Sequence, residues 1–290
     1  MPPVSAKRPV VHGRPRLERI VRLNRARRPM RAPTAPPGFR QAEDSRMQPA
    51  ASMTIDAQPY VFDWEPAHSA LLIIDMQRDF LEPGGFGAML GNDVSLLRDT
   101  IAPNRRLLDA WRAAGLLVIH TREGHRADLS DLPPAKWRRG NGRTRIGDPG
   151  PMGRILTRGE PGHDIIPELY PLPGEPVIDK PGKGAFWATD LHAILQNRNI
   201  SQLIVTGVTT EVCVSTSVRE ANDRGYDCLV LDDCTGSYIP DFHRSGLQMI
   251  AAQGGIFGWV SDSSRVIAAL DAFVLGTSLR DGTATQHARE

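Results

Sequence analysis

The sequence predicts an α/β fold in which helices cover both faces of a parallel sheet of six strands. Short apolar runs rich in β-branched residues recur along the chain, as in strands that are buried on both faces. Segments with helical periodicity separate these runs, and Gly, Pro and capping residues mark the boundaries. Because strands and helices alternate, the strands are expected to lie parallel.

Each predicted element is short and has a recognisable end. In chain order the predicted strands are Ser69–Asp75, Leu116–Thr121, Glu175–Asp179, Leu203–Val205, Asp227–Leu231 and Ile256–Val260. The predicted helices run from Asn92 or Asp93 to about Ala114, from Thr189 or Asp190 to about Asn197, from Val212 to Asp223, from Asp241 to Gln253 and from Ser263 to Val274. Glycines follow several of these helices, which is the usual C-terminal stop.

The chain divides into a basic N-terminal segment, one domain and a tail. We expect residues 1–58 to be a disordered extension, residues 59–275 the folded domain, beginning near Tyr60, and residues 276–290 a C-terminal tail. The first 46 residues carry 12 Lys and Arg against 3 Asp and Glu, with little hydrophobic periodicity. They cannot bury enough apolar surface to offset the entropy of ordering.

The functional interpretations of this basic segment are a nucleic-acid-binding arm or a targeting peptide. The alternative is an unstructured extension, or upstream sequence read before a natural start at Met47 or Met53. We favour this alternative because compositional signals of that kind are weak.

Composition excludes several classes of function for the rest of the chain. The remaining 244 residues carry 23 basic and 30 acidic side chains, so they have no overall attraction for nucleic acid or membranes. Cys213, Cys228 and Cys234 form no C-x-x-C pair and predict no disulfide framework. No apolar run approaches the ~20 residues of a membrane span, and no secretory signal is recognisable. These observations favour a cytoplasmic location.

Residues 122–175 form one long irregular segment, rich in Gly and Pro, with four arginines between Arg138 and Arg145. A loop of this length inside a compact domain is usually functional. We interpret it as a lid or an oligomer contact.

Cys213 follows a buried strand and a glycine, at the start of a predicted helix. The free N–H groups and the positive dipole end at this position favour a thiolate, which is the reactive form of cysteine. The competing interpretation is a small buried hydrophobe, as most free cysteines are.

Three chemically capable residues follow separate predicted strands. Asp75 ends the first strand, Lys180 follows the third and Cys213 follows the fourth. Ligands bind at the carboxyl ends of parallel strands, so these side chains are expected to meet at one edge. An acid could then take the thiol proton beside a neutralising ammonium, an arrangement suited to acyl transfer from an amide, with backbone N–H groups holding the oxyanion. Taken singly, the same residues could be a turn cap, a surface lysine and a core cysteine.

Three segments of the sequence resemble those of a known family. Ile73-Ile-Asp-Met-Gln-Arg-Asp-Phe80, Asp179-Lys-Pro-Gly-Lys-Gly-Ala-Phe186 and Gly207-Val-Thr-Thr-Glu-Val-Cys213 resemble the signature segments of the isochorismatase-like cysteine hydrolases. The resemblance covers about Ser69 to Leu270. Within the family the chain is most similar to the biuret hydrolases, through stretches that include His120-Thr-Arg-Glu-Gly-His125 and Gln253-Gly-Gly-Ile-Phe-Gly258.

The resemblance implies a three-layer α/β/α Rossmann-like domain in a homo-oligomer, most commonly a tetramer. It implies that Asp75 is the general acid/base, Lys180 its charged partner and Cys213 the nucleophile. It further implies a cis peptide between Val208 and Thr209, with the backbone N–H groups of Thr209 and Cys213 forming the oxyanion hole. The substrate pocket it implies is lined by Phe80, Lys183 and Gln253.

Related nicotinamidases hold a metal through Asp-x-His and a further histidine after the second strand. Here His120 and His125 occupy that place without the Asp-x-His pattern. We therefore expect no catalytic metal and no cofactor. His120 is expected to be a satisfied strand-end residue, and His125 a loop residue near the pocket.

The function that these observations predict is hydrolysis of a linear urea-type amide, biuret in particular, to allophanate and ammonia through a cysteine thioester. Triuret, ureidoacrylate and N-carbamoylsarcosine are alternative substrates for the same chemistry. A non-catalytic or redox-sensing thiol protein is the alternative of another class.

Overall fold

The computed structural model describes residues 53–139 and 144–287, the last eleven of these by their backbone alone. The prediction for residues 1–52 therefore lies outside the described residues. The strands are β1 Met53–Ile55, β2 Phe62–Trp64, β3 Ser69–Ile74, β4 Leu117–Glu123, β5 Pro149–Gly150, β6 Gly153–Arg154, β7 Val177–Lys180, β8 Gln202–Val208, β9 Asp227–Gly236 and β10 Trp259–Ser261. The helices are α1 Arg78–Leu81, α2 Phe86–Met89, α3 Ser95–Arg98, α4 Ile101–Ala113, α5 Pro134–Trp137, α6 Leu191–Asn197, α7 Ser215–Asn222, α8 Pro240–Gly255 and α9 Ser263–His287.

The predicted α/β fold is confirmed. One sheet of six strands has the order β10-β9-β8-β3-β4-β7, and every neighbouring pair is parallel. Each of the six predicted strands is present within a few residues of its expected bounds. Two small antiparallel ribbons, β1–β2 and β5–β6, were not predicted, because strands of two or three residues leave no periodic signal.

Two hydrophobic layers lie on opposite faces of the sheet, because successive side chains of a strand point to opposite sides. On β3, Leu71 and Ile73 pack into the layer that contains residues of α4 and α9, whereas Leu72 and Ile74 pack into the layer that contains residues of α6, α7 and α8. The result is the three-layer arrangement that the family resemblance implies. Among the described helices, none is both long and apolar enough to cross a membrane.

The helix predicted from Asn92 or Asp93 to Ala114 is wrong as a single element. These residues form two helices, α3 and α4, and α4 begins at Ile101. Pro103 explains the break, since proline has no N–H to bond the carbonyl four residues earlier and is tolerated only in the first turn of a helix. The apolar periodicity of the sequence continues on both sides of this proline, so it gave no sign of the break.

Several element ends also differ from their predictions. The folded chain includes β1, which precedes Tyr60 and pairs with β2, and α9 continues past Val274 to His287. Near its end α8 leaves helical geometry, and Gln253 has a φ of 53°. The predicted helix from Val212 is a π-helical turn, Thr210–Val214, that continues into α7.

The long segment between β4 and β7 packs onto the carboxyl edge of the sheet. It carries α5, the β5–β6 ribbon and two short 3-10 turns. A buried carboxylate fixes it there, because Asp79 Oδ2 accepts a 2.9 Å hydrogen bond from the Leu156 N–H. Burial raises the pKa of Asp79, although its two backbone hydrogen bonds oppose this. The segment therefore borders the place where the predicted site residues meet.

Candidate active site

Asp75 follows β3 directly and turns the chain sharply. Its φ is 52°, a left-handed conformation that aspartate adopts more readily than most residues. The Thr121 hydroxyl on β4 donates a 2.6 Å hydrogen bond to Asp75 Oδ1. The Asp75 N–H bonds the Thr121 hydroxyl oxygen in return, at 3.2 Å. The carboxylate is thereby fixed below the surface, with no solvent exposure.

Lys180 ends β7 and reaches Asp75 across the intervening strand β4. Its Nζ lies 2.7 Å from Asp75 Oδ2, and both side chains are fully buried. Nζ also donates to the carbonyl oxygens of Gly182, at 3.2 Å, and Lys183, at 2.9 Å. Burial would lower the pKa of Lys180, but its neighbours Asp75, Cys213 and Glu123, with Asp75 foremost, together outweigh burial and the pKa is raised. Apart from this ion pair, no donor among the described residues hydrogen-bonds Asp75 Oδ2.

Cys213 lies in the π-helical turn after β8 and is buried. Its Sγ, a carboxylate oxygen of Asp75 and one of Glu123 all lie within 4.8 Å of one another. Gly207 permits this approach of β8 to β3. Its φ is 106°, and a Cβ at this position would lie 2.0 Å from the Ile74 carbonyl oxygen. Asp75, Lys180 and Cys213 therefore meet as the sequence predicted.

The surroundings of Cys213 favour its thiol form. Burial raises its pKa well above the usual value; Lys180 acts in the opposite direction, and the Asp75 and Glu123 carboxylates reinforce the rise. The sequence argument had expected the helix terminus to stabilise a thiolate. That expectation is wrong for the resting site, because desolvation and two neighbouring anions oppose the charge.

Glu123 is the acidic residue of this site that sequence reasoning missed. It ends β4, is fully buried, and receives 2.7 Å contacts from both Lys136 Nζ and Lys183 Nζ. Burial would raise its pKa, but Lys183, Lys180 and Lys136 together hold it at about 2. The signal was available, because Glu123 obeys the same strand-end rule as Asp75. The second strand was predicted to end at Thr121, two residues too early.

Both histidines have side-chain partners in the described part of the chain. His120 Nε2 lies 3.0 Å from a carboxylate oxygen of Glu175, and burial lowers the pKa of His120. His125 Nδ1 lies 3.2 Å from Asp131 Oδ1, and His125 Nε2 lies 2.9 Å from Lys136 Nζ. The prediction of a satisfied His120 is met only in part, because its buried Nδ1 has no hydrogen-bond partner among the described residues. His125 contacts the lysine that holds Glu123.

Asp75, Glu123 and Cys213 form a possible set of metal ligands, given the spacing of their atoms. The two carboxylates are already engaged by the ammonium groups of Lys180, Lys136 and Lys183. Two carboxylates among three ammonium groups leave a surplus of positive charge, which opposes a further cation. The expectation of no catalytic metal stays a prediction.

The other predicted site residues do not all lie equally close to the triad. Lys183 reaches the site through Glu123. The peptide between Val208 and Thr209 is cis, as the resemblance implied, and within the described chain the Thr209 N–H has no hydrogen-bond partner. Phe80 lies in α1, half-buried against the hydrophobic cluster of the long segment.

Gln253 is not brought to the triad within one chain. It is exposed at the end of α8, which begins beside the π-helical turn and runs back along the sheet. Gly258, five residues further, lies against the Cys228 carbonyl near the start of β9. Gln253 thus lies towards the amino ends of the strands, opposite Cys213, because a helix after a parallel strand returns to the sheet's other edge.

The remaining cysteines differ from Cys213. Cys228 and Cys234 are free and buried, and burial raises the pKa of both thiols. Both belong to hydrophobic layers of the sheet. Among the described residues, neither has the paired carboxylate and ammonium groups that surround Cys213.

Comparison with known proteins agrees with this geometry. The family model described as the isochorismatase domain matches residues 69–264. A cysteine hydrolase from Pseudomonas syringae pv. phaseolicola is 29% identical, with a TM-score of 0.62 over 72% of this chain and 95% of that one. An isochorismatase family protein from Desulfovibrio vulgaris is 28% identical, with a TM-score of 0.57 over 72% of this chain and 98% of that one.

A further crystal structure shares the fold. The N-carbamoylsarcosine amidase of Thermoplasma acidophilum is 22% identical, with a TM-score of 0.51 over 67% of this chain and 96% of that one. At that identity the likeness extends to the fold alone. The family model covers more than half of the chain and includes the segments around Asp75, Lys180 and Cys213. The chain therefore belongs to the isochorismatase family of hydrolases.

Proposed function

We propose that the protein is an amidohydrolase that uses Cys213 as its nucleophile and acts on biuret. The observation that carries the proposal is the buried ion pair of Asp75 and Lys180 beside the Cys213 sulfur. Asp75 Oδ2 has no other donor among the described residues, so it can accept the thiol proton. Lys180 keeps the acid in place and offsets the negative charge that develops on sulfur.

The reaction consists of two half-reactions. In the first, Asp75 takes the Cys213 proton as sulfur bonds to a terminal carbonyl carbon, and the carbonyl electron pair moves onto oxygen. The tetrahedral intermediate then breaks its C–N bond, and Asp75 returns the proton to the departing ammonia. In the second, Asp75 deprotonates a water that attacks the thioester. The C–S bond breaks, allophanate leaves, and the sulfur regains its proton.

The oxyanion of each tetrahedral intermediate needs fixed donors. We assign this role to the backbone N–H groups of Thr209 and Cys213, which belong to the chain just before and within the π-helical turn. The Thr209 N–H is not engaged elsewhere in the described chain. Such preorganised donors commonly contribute about 10²–10³-fold in rate.

The state of Lys183 favours an uncharged substrate. Its ammonium is within hydrogen-bond distance of both oxygens of Glu123, at 2.7 and 2.9 Å, so two of its three N–H donors are already occupied. One remaining donor suits a single carbonyl oxygen, whereas a carboxylate is best bound by two donors. Biuret and triuret are neutral, whereas ureidoacrylate and N-carbamoylsarcosine carry a carboxylate. This contact, together with the resemblance to the biuret hydrolases, favours biuret, with Phe80 and Lys183 lining the pocket.

A substrate panel tests the proposal. Ammonia release would be measured with biuret, triuret, ureidoacrylate and N-carbamoylsarcosine, using the wild-type protein and Cys213→Ser. We expect the highest kcat/KM for biuret and a loss of at least about 10³-fold in the variant. Cys228→Ser is the matched control and should retain wild-type turnover, because that thiol lies in the core. Undiminished turnover by Cys213→Ser would overturn the mechanism, and a higher kcat/KM for a carboxylate substrate would overturn the choice of biuret.

We also propose a homotetramer and a cytoplasmic location. The first rests on the family resemblance, and the second on three unpaired cysteines. Light scattering coupled to gel filtration would test the tetramer, and a mass other than four chains would reject it. Fractionation of the source cells would test the location.

A further inference from the structure

Glu123 is constrained more heavily than the proposed acyl transfer requires. The Gln77 side-chain amide bonds both backbone groups of Glu123. The Glu123 N–H donates to Gln77 Oε1 at 2.7 Å, and Gln77 Nε2 donates to the Glu123 carbonyl at 3.0 Å. Gln77 is itself fully buried. The Glu123 side chain is then fixed by two lysines, so every part of the residue is held.

Lys136 has no donor left for a substrate. Its Nζ donates to Glu123 Oε1 at 2.7 Å and to the Pro181 carbonyl at 2.7 Å, and it lies 2.9 Å from His125 Nε2. Burial, followed by the nearby Lys136 charge, lowers the pKa of His125, so the ring is neutral at pH 7 and Nε2 accepts the third proton. Lys136 belongs to α5 in the long segment. That segment therefore supplies a counter-ion to the site.

Lys183 is placed differently. Two of its Nζ contacts are the two Glu123 oxygens, and its side chain is 40% exposed. An ammonium has three N–H donors, so one remains for a group arriving from the exposed side. Glu123 thereby decides where that donor points.

The Cys213 sulfur also depends on Glu123. Its Sγ–H donates to Glu123 Oε2 at a sulfur–oxygen distance of 3.6 Å. The charged groups that face the sulfur are the carboxylates of Asp75 and Glu123 and the ammonium groups of Lys180 and Lys183. With its pKa held at about 2, Glu123 accepts this hydrogen bond without taking the proton. Ionisation of the thiol is therefore left to Asp75.

We propose that Glu123 is a positioning residue with two linked tasks. It holds Cys213 as an oriented thiol until substrate arrives, and it aims the one free N–H of Lys183 at a neutral carbonyl oxygen of the substrate. Lys136 serves the same arrangement by keeping Glu123 charged and fixed. The task at Lys183 rests on the proposed function, whereas the task at the thiol does not.

Alkylation of Cys213 tests the thiol task without any substrate. The rate of reaction with iodoacetamide would be followed by mass spectrometry from pH 5 to 10 in the wild type and in Glu123→Gln. Removing this anion leaves one carboxylate and two ammonium groups facing the sulfur. We expect the rate to rise about ten-fold at every pH below the thiol pKa, pH 7 included, which corresponds to a fall of about one unit in that pKa. A profile that coincides with the wild type, or shifts to higher pH, would overturn the proposal.

Glu175→Gln is the matched control. Glu175 is also a largely buried, ion-paired glutamate, held by Arg112 and His120. Loss of a merely structural glutamate should lower stability but leave the alkylation profile of Cys213 unchanged. We expect this result for Glu175→Gln, and a changed profile for Glu123→Gln. An equal shift of the profile in Glu175→Gln would also count against the assignment of the thiol task to Glu123.

Steady-state kinetics with biuret test the Lys183 task. We expect KM in Glu123→Gln to rise at least about ten-fold and kcat to fall less. Glu123→Asp keeps the charge but shortens the reach, so it should retain the wild-type alkylation rate at pH 7 while KM stays raised. An unchanged KM in Glu123→Gln would reject the aiming of Lys183. Failure of the wild type to hydrolyse biuret would reject the proposed substrate, and the alkylation profiles would still decide the thiol task.

Discussion

The ends of β3 and β4 present the same chemistry in two different settings. Asp75 and Glu123 are both fully buried carboxylates close to the Cys213 sulfur. Asp75 pairs with one lysine and keeps Oδ2 free of other donors, whereas Glu123 has ammonium groups on both oxygens. The number of ammonium partners, more than the kind of acid, therefore separates a proton acceptor from a fixed anion.

Replacing Asp75 by Asn should have the largest effect on the reaction. Removal of the proposed base is expected to lower kcat at least about 10⁴-fold, by analogy with triad members in other hydrolases. Glu123→Gln, assayed beside it, should keep far more of its kcat. An equal loss of activity in both variants would contradict the assignment of Asp75 as proton acceptor and Glu123 as fixed anion.

The Asp75→Asn variant also permits a sharper check. Without that anion the thiolate should form more easily, so Cys213 alkylation at pH 7 should accelerate although turnover is lost. An inactive variant with a slow thiol would indicate general damage to the site. Circular dichroism would confirm that the fold is retained.

Lys180→Met tests the ion pair itself. Lys180 and Asp75 are both inaccessible to solvent, so the variant leaves a buried carboxylate without its partner. Breaking such a pair costs about 3–5 kcal/mol in unfolding free energy. Urea denaturation should show this loss near pH 7, together with an activity below the detection limit. A loss below about 1 kcal/mol would mean that water or another cation replaces the lysine.

Glu123 should contribute to stability in a pH-dependent way. Its pKa falls from 4.5 to about 2 in the folded protein, so its contribution is present above about pH 5 and is lost as the pH falls towards 2. The full contribution is about 3 kcal/mol at most. The difference in unfolding free energy between wild type and Glu123→Gln should therefore shrink in acid. A difference that does not depend on pH would contradict the low pKa.

Gln253→Ala should have the smallest effect. The side chain is exposed at the edge of the sheet opposite Cys213, so KM for biuret is expected to change less than about two-fold. A rise of ten-fold or more would show that Gln253 reaches a site after all. It would then have to belong to another copy of the chain, and mixed oligomers of Gln253→Ala with the inactive Cys213→Ser would regain the wild-type KM.

The sequence was sufficient for the six strands of the parallel sheet and for the three residues at their ends, but not for the order of the strands in the sheet. Asp75, Lys180 and Cys213 follow recognisable apolar runs, and the parallel topology brings such ends together. Glu123 was missed because the last residues of β4 are polar and are held by pairing with β7, where Glu123 lies opposite Lys180. Sequence periodicity contains no information on that pairing.

Lys136 was beyond sequence reasoning for a different reason. It lies in a four-residue helix within a segment that has no periodic pattern, and its partners are distant in sequence or bound through backbone oxygen. The thiol state of Cys213 was misjudged because burial and two anions outweigh a helix terminus, and neither is visible locally. Local patterns located the reactive groups, and tertiary contacts set their charges.

The anchoring of α5 through Lys136 limits how the enzyme can be redesigned. Shortening or exchanging the segment between β4 and β7 is an obvious way to admit larger molecules. Any graft that omits an ammonium at this position would leave Glu123 with Lys183 as its one direct ammonium partner among the described residues, and the Pro181 carbonyl without its Lys136 donor. A successful replacement loop would therefore have to be selected for a cation at that point before its length or shape is varied.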